Sequence, residues 1–320
     1  MSSTKTYHVK TILLIFMLGT FISILNQNLL FTAFPDIMAT FSVDNNTIQC
    51  LTTTYMLVNG VWMPVTAYLI SRFSSRQLTF FALSTFTFGT LLSALAPNFT
   101  LLLISRLIQA IGAGILIPLM QVVLFTIVPK EKHGTVMGII GLTTGFAPLI
   151  GPSITGIIFS RLSWRYLFWL VFPIGLILVV ATVLGMQNVG TSDRTRKLDY
   201  QLVAYSTLGF GWLLYGTGVL NQQPELGGIF VTLGILFIID FIYNQSSLDT
   251  PMLDFRVFKN RQFSLSLILV VLSFVTLIGP QAIIPSLVQT AMHLTALTSA
   301  LVLMPGAIAS GVTSLISGRL

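Results

Sequence analysis

Long apolar runs separated by short polar loops fill this chain, and that alternation leaves it few folds. A helix needs about 20 mostly apolar residues to cross a bilayer. Ten stretches meet or approach that length, at roughly 11–34, 48–70, 78–95, 100–128, 135–159, 164–186, 201–220, 227–243, 263–288 and 297–317. The eighth is the shortest: it opens on Gly227 and Gly228 and carries Asp240 near its end. Backbone groups in hydrocarbon must be hydrogen-bonded internally, so continuous apolar runs of this length predict helices and an all-α integral membrane protein. Charged residues make up only 8% of the chain and mean hydropathy is +0.89, against roughly 25% charged residues in soluble domains.

The net charge of +7 invites a nucleic-acid reading, which the positions of the charges remove. With the N-terminus in the cytoplasm, thirteen of the 16 basic residues fall in inner loops or tails, Arg161 and Arg165 fall outside, and Arg106 lies within a span. That is the positive-inside pattern of a multi-pass plasma-membrane protein, not a basic stripe interleaved with aromatics. The first run is too long for a secretory signal and lacks a small-residue cleavage site, so it is expected to stay as span one. A single cysteine, Cys50, excludes an internal disulfide and a cysteine-based metal cluster.

No catalytic constellation is visible. His8, His133 and His293 lie near span ends without a nucleophile or ligand pair beside them, and no Walker sequence occurs. The expectation is therefore no enzyme activity, cofactor or metal, with the lipid bilayer as the surrounding partner.

Three stretches point instead to transport. LLISRLIQAIGAG (102–114) puts Arg106 and Gln109 on one helical face, with Gly112 and Gly114 allowing close approach. An intramembrane arginine is costly and marks a substrate or proton pathway. AYLISRFSSRQL (67–78) carries Arg72 and Arg76, suited to bonding the carbonyl ends of neighbouring helices and holding the inward face shut. GLTTGFAPLIGPSITG (141–156) brings Gly145, Pro148, Gly151, Pro152 and Gly156 into span five, where they favour close packing and a bend.

In this order and on these spans, the three stretches resemble the conserved motifs of the major facilitator superfamily, and within it the 14-helix drug:proton antiporter branch of EmrB/QacA-like multidrug exporters. SWRYLFWLVFPIG (163–175), KLDY (197–200) and TPMLDFRVFKNRQF (250–263) extend the resemblance along nearly the whole chain. It implies an N-terminal six-helix bundle over residues 1–190 and a linker with an inserted transmembrane hairpin over 191–262. Residues 263–320 would be the first two helices of a C-terminal bundle, cut short of 14 spans as in a truncated product. It also implies two halves rocking about a central cavity, with Arg106 in proton coupling and the Gly-Pro stretch associated with antiport.

The departures bear on mechanism. Asn26 stands where that family usually has an aspartate in span one, and an amide cannot titrate. Asp36, the acid nearest it in sequence, is expected just past Pro35 at the outer surface. Ser71 and Ser74 replace a usual aspartate and glycine, which predicts a weaker cytoplasmic latch. The leading expectation is a secondary active transporter exporting small amphipathic compounds, not obviously polycationic ones, in exchange for protons, with Arg106, Gln109 and Asn26 as pathway candidates. A specific metabolite transporter or uniporter without proton coupling is the first alternative, and a non-transporting receptor or accessory protein the second.

Overall fold

The computed structural model describes residues 9–141, 143–144, 163–189, 200–220, 223–246 and 255–288, with scattered positions between 292 and 316. No strand occurs among them. Helix α1 spans Val9–Phe41, α2 Asn45–Arg72, α3 Ser75–Leu95 and α4 Phe99–Ile127. Residues 133–141 and 143–144 form the described part of α5. Then come α6 (Arg165–Gly185), α7 (Tyr200–Val219), α8 (Pro224–Ser246) and α9 (Arg261–Ser286).

The helix ends are written locally. Asp44 caps α2, its Oδ1 accepting from the Thr47 N–H at 2.9 Å. Asn98 does the same for α4, accepting from the Leu101 N–H at 2.8 Å. Ser74 and Gln77 form a reciprocal capping box on α3. Ser74, which departs from the family pattern, thus serves the helix start, where its hydroxyl accepts from an N–H that would otherwise lack a partner.

The apolar pattern predicts a first span ending near Phe34, with Asp36 just past Pro35 at the outer surface; the helix itself runs on through Pro35 to Phe41, and Asp36 within it is exposed. Proline removes one ladder hydrogen bond and does not forbid a helix whose other bonds and packing persist. The helix ends instead at Ser42, held at φ 53°, with the Val43 N–H reaching back to the Met38 carbonyl at 3.2 Å. That is the left-handed stop usually built with glycine.

α4 is central. It packs against α1, α2 and α3, while α6 lies on α3 and α1. α7 and α8 form a paired hairpin, and α7 rests on α2. Phe16, Phe86, Leu116 and Ile115 are among the fully buried side chains where α1, α3 and α4 meet. Leu176, Ile177, Val180 and Leu184 line an exposed face of α6, the surface expected of a helix whose surroundings are lipid.

Five described segments are long and apolar enough to cross a membrane: Val9–Leu30, Ser75–Leu95, Phe99–Ile127, Arg165–Gly185 and Pro224–Ser246. The eighth run, weakest in the sequence, is thus a continuous 23-residue helix. α2 is 28 residues long, enough to span, but Asn45, Asn46, Gln49, Asn59 and its threonines make it more polar. The second half of span five, KLDY before Tyr200, residues 250–254 and most of span ten lie outside the described residues.

Candidate functional site: a buried polar node on α1, α3 and α4

The α4 run supplies Arg106 and Gln109 three residues apart, one above the other on the same face. Both are completely buried. Arg106 Nη1 donates to Gln109 Oε1 and to Asn26 Oδ1 on α1, each at 2.7 Å. Gln109 Nε2 in turn donates to Thr90 Oγ1 on α3 at 2.8 Å, and the Thr90 hydroxyl donates to the Phe86 carbonyl at 2.8 Å. One continuous chain of hydrogen bonds therefore crosses three helices.

Tyr55 of α2 completes the surroundings. Its ring centroid lies 4.3 Å from Arg106 Cζ, a cation–π contact in a desolvated site. Its hydroxyl is 3.4 Å from Ser23 Oγ on α1. Each of these partners of the guanidinium is neutral.

Small residues make the approach possible. A Cβ on Gly89 of α3 would stand 2.7 Å from Gln109 Cγ and 2.9 Å from the Ser105 carbonyl oxygen. One on Gly112 would stand 2.4 Å from the Ala82 carbonyl oxygen, and one on Gly114 would stand 3.0 Å from Trp62 Cβ on α2. Gly112 thus lets α4 close on α3, and Gly114 lets it close on α2. Ser93 and Ser105 hydroxyls, 2.6 Å apart, add a second link between α3 and α4.

The node leaves donors over. Arg106 Nε and Nη2 and Asn26 Nδ2 are buried and have no hydrogen-bond partner among the described residues. The structure thus brings together Arg106, Gln109 and Asn26, all three singled out in the sequence. It adds Thr90, Tyr55 and Ser23, which sequence reasoning misses. Threonine satisfies itself on the i−4 carbonyl in many helices, so Thr90 looks ordinary. The one available signal is the cluster of small residues Gly89, Thr90 and Ser93 on one stretch of α3.

Arg72 and Arg76 lie apart from this node, at the end of the bundle where α2 gives way to α3. Arg76 Nη2 donates to the Val183 carbonyl in the last turn of α6. Beside it, the Val189 N–H donates to Ser75 Oγ at 2.8 Å. Arg72 Nη1 donates to the Tyr68 hydroxyl at 2.9 Å, and Ser71 donates to the Tyr68 carbonyl at 2.7 Å. The Gly-Pro set of Gly145, Pro148, Gly151, Pro152 and Gly156 lies outside the described residues.

At the opposite end, Trp164 Nε1 donates to Thr40 Oγ1 at 3.2 Å, joining α6 to α1. Arg165 donates to the Ala96 carbonyl at 2.9 Å and stacks 4.4 Å above the Trp164 ring. The sequence signals neither inter-helix bond, because both join positions far apart along the chain. No group of three or more His, Cys, Asp or Glu residues that could hold a metal occurs among the described residues.

The profile of the Major Facilitator Superfamily matches residues 16–320. The chain belongs to that family. Within the Major Facilitator Superfamily it is 45% identical over 99% of its length to the MFS-type transporter YcnB of Bacillus subtilis, covering 67% of that protein. It is 35% identical over 95% of its length to the lincomycin resistance protein LmrB of Listeria monocytogenes, covering 65% of it. The chain thus spans about two thirds of the length of these relatives. The fold is shared with the human organic anion transporter MFSD10, at 12% identity and a TM-score of 0.68, over 98% of this chain and 73% of that one. Membership of the Major Facilitator Superfamily makes this a multi-pass membrane protein of a transporter family, not an enzyme family.

Proposed function

We propose that the chain forms the N-terminal bundle, the inserted hairpin and the start of the C-terminal bundle of a secondary transporter in the plasma membrane. Its N-terminus faces the cytoplasm, and it exports small amphipathic compounds in exchange for protons. The carrying observation is the fully buried Arg106, bonded to Asn26 and Gln109 where α1 and α4 meet. A guanidinium costs at least about 2.5–3.5 kcal/mol at the centre of a bilayer. Ordinary helix packing needs no such group. Relatives named for lincomycin and multidrug resistance support export of drug-like compounds.

Asn26 favours a second reading, facilitated transport without proton coupling, because the amide beside Arg106 exchanges no proton. Dye efflux from energised cells, with and without a protonophore, separates the two. Efflux abolished by the protonophore and by Arg106→Ala supports the exchanger. Efflux indifferent to the protonophore supports the uncoupled carrier, and a dye bound without being moved supports a receptor. The inner clasp of Arg76 on Val183 and the Trp164–Thr40 contact at the other end are assigned to holding α6 against its neighbours as the bundle moves.

A further inference from the structure

The node has a surplus of positive charge and of hydrogen-bond donors. Arg106 Nε–H and Nη2–H lie on the same edge of the guanidinium, the edge that receives both oxygens of a carboxylate in a bidentate pair. Those are the two nitrogens left without a partner, together with Asn26 Nδ2. Nη1 is the nitrogen already engaged, by two neutral amide oxygens.

No acid of this half can neutralise the group. Residues 1–190 contain three acids, Asp36, Asp44 and Glu131, and all three are exposed. Asp36 shares α1 with Asn26 but stands ten residues further along, about 15 Å at the helical rise. A buried cation with an open fork and no counter-ion among the described residues is expensive unless an anion visits it. Its direct neighbours are an aromatic ring, Tyr55, and the neutral amides of Asn26 and Gln109, none of which carries a negative charge.

We infer that the Nε–Nη2 edge of Arg106 is a binding site for the carboxylate of an amphipathic substrate. This rests on the transport reading for its role and goes further by naming the charge class of the cargo. Asn26 is then a specificity residue: an aspartate there would neutralise the guanidinium through Nη1, whereas the amide leaves its positive charge for the substrate.

The test is thermal unfolding of the purified chain in lipid nanodiscs with sodium 1-naphthoate, 1-naphthamide or sodium chloride. Naphthoate should raise the melting temperature, and the isosteric amide and chloride should not. Asn26→Asp, which keeps the hydrogen bond to Nη1, should fold normally and bind naphthoate about ten- to a hundredfold more weakly. Arg106→Lys, which keeps the charge and loses the fork, should weaken it similarly. No shift with naphthoate, an equal shift with naphthamide or chloride, or a naphthoate shift unchanged in both variants overturns the inference. Binding is read here without transport. Naphthoate binding in a chain that moves no dye would remove the transport reading alone, and efflux without naphthoate binding would remove this inference alone.

Discussion

Asn26 Oδ1 on α1 and Gln109 Oε1 on α4 accept from the same nitrogen of Arg106, each at 2.7 Å. One guanidinium nitrogen thereby fastens two helices whose residues lie 80 positions apart. Asn26→Ala should leave Nη1 with one acceptor in a completely buried site. A lost hydrogen bond to a charged group costs about 1.5–3 kcal/mol. The check is unfolding in mild detergent, with Asn26→Asp as control. An alanine variant as stable as the parent would mean that the bond contributes nothing.

Glycine positions give a graded prediction. Gly112→Ala puts a methyl 2.4 Å from the Ala82 carbonyl oxygen and 2.7 Å from the Phe86 nitrogen, both backbone atoms of α3 that cannot rotate away. It should destabilise by about 1–3 kcal/mol or more and loosen the link between α3 and α4. Gly228→Ala meets nothing within 4 Å and should be neutral or stabilising by up to about 1 kcal/mol. Melting temperatures of the two variants should fall on opposite sides of, or at least far apart around, the parent value. Equal effects would mean the close approach is not what Gly112 provides.

Much of this molecule is legible in its sequence, for a physical reason. Hydrocarbon demands long apolar helices, so α1, α3, α4, α6 and α8 appear as hydropathy alone, and Arg106 stands out because nothing around it in the sequence is polar except Ser105 and Gln109. The partners are less legible. Asn26 stands out through the family resemblance and not through any local signal, since an asparagine in a span announces no direction. Tyr55 and Thr90 escape notice because aromatic rings and threonines are common in membrane helices and their meeting with Arg106 depends on how α2 and α3 are rotated.

The start of α2 should respond to pH. Hydrogen bonds from the Thr47 side chain and backbone N–H hold the Asp44 carboxyl below its ordinary value of 3.8. Folding therefore favours the ionised form. The stabilisation is complete above the ordinary aspartate range, declines as pH falls through 3.8, and is lost once pH drops below the lowered folded value. Asp44→Asn keeps a cap acceptor and should flatten the acid limb of a stability curve at little cost near neutrality. Asp44→Ala should flatten the acid limb and also lower stability at neutral pH. An acid limb unchanged in both variants would assign the pH response to another group.

α6 is tied at both ends by side chains, Arg76 on the Val183 carbonyl at one, and Trp164 on Thr40 with Arg165 on the Ala96 carbonyl at the other. Arg76 is exposed, so its hydrogen bond competes with water and contributes about 1 kcal/mol to stability. Its larger effect should be on motion. Val189, just past α6, is 8% exposed and its N–H is tied to Ser75 Oγ at 2.8 Å. Arg76→Ala should let this segment lift from α3. In a Cys50→Ser background, a cysteine introduced by Val189→Cys should react slowly with a membrane-impermeant maleimide when Arg76 is present and several-fold faster when it is alanine. Trp164→Phe, which loosens the other end, should leave that rate unchanged. The same acceleration from Trp164→Phe would mean that α6 moves as one rigid rod released from either end, and no acceleration from Arg76→Ala would remove the clasp from the mechanism.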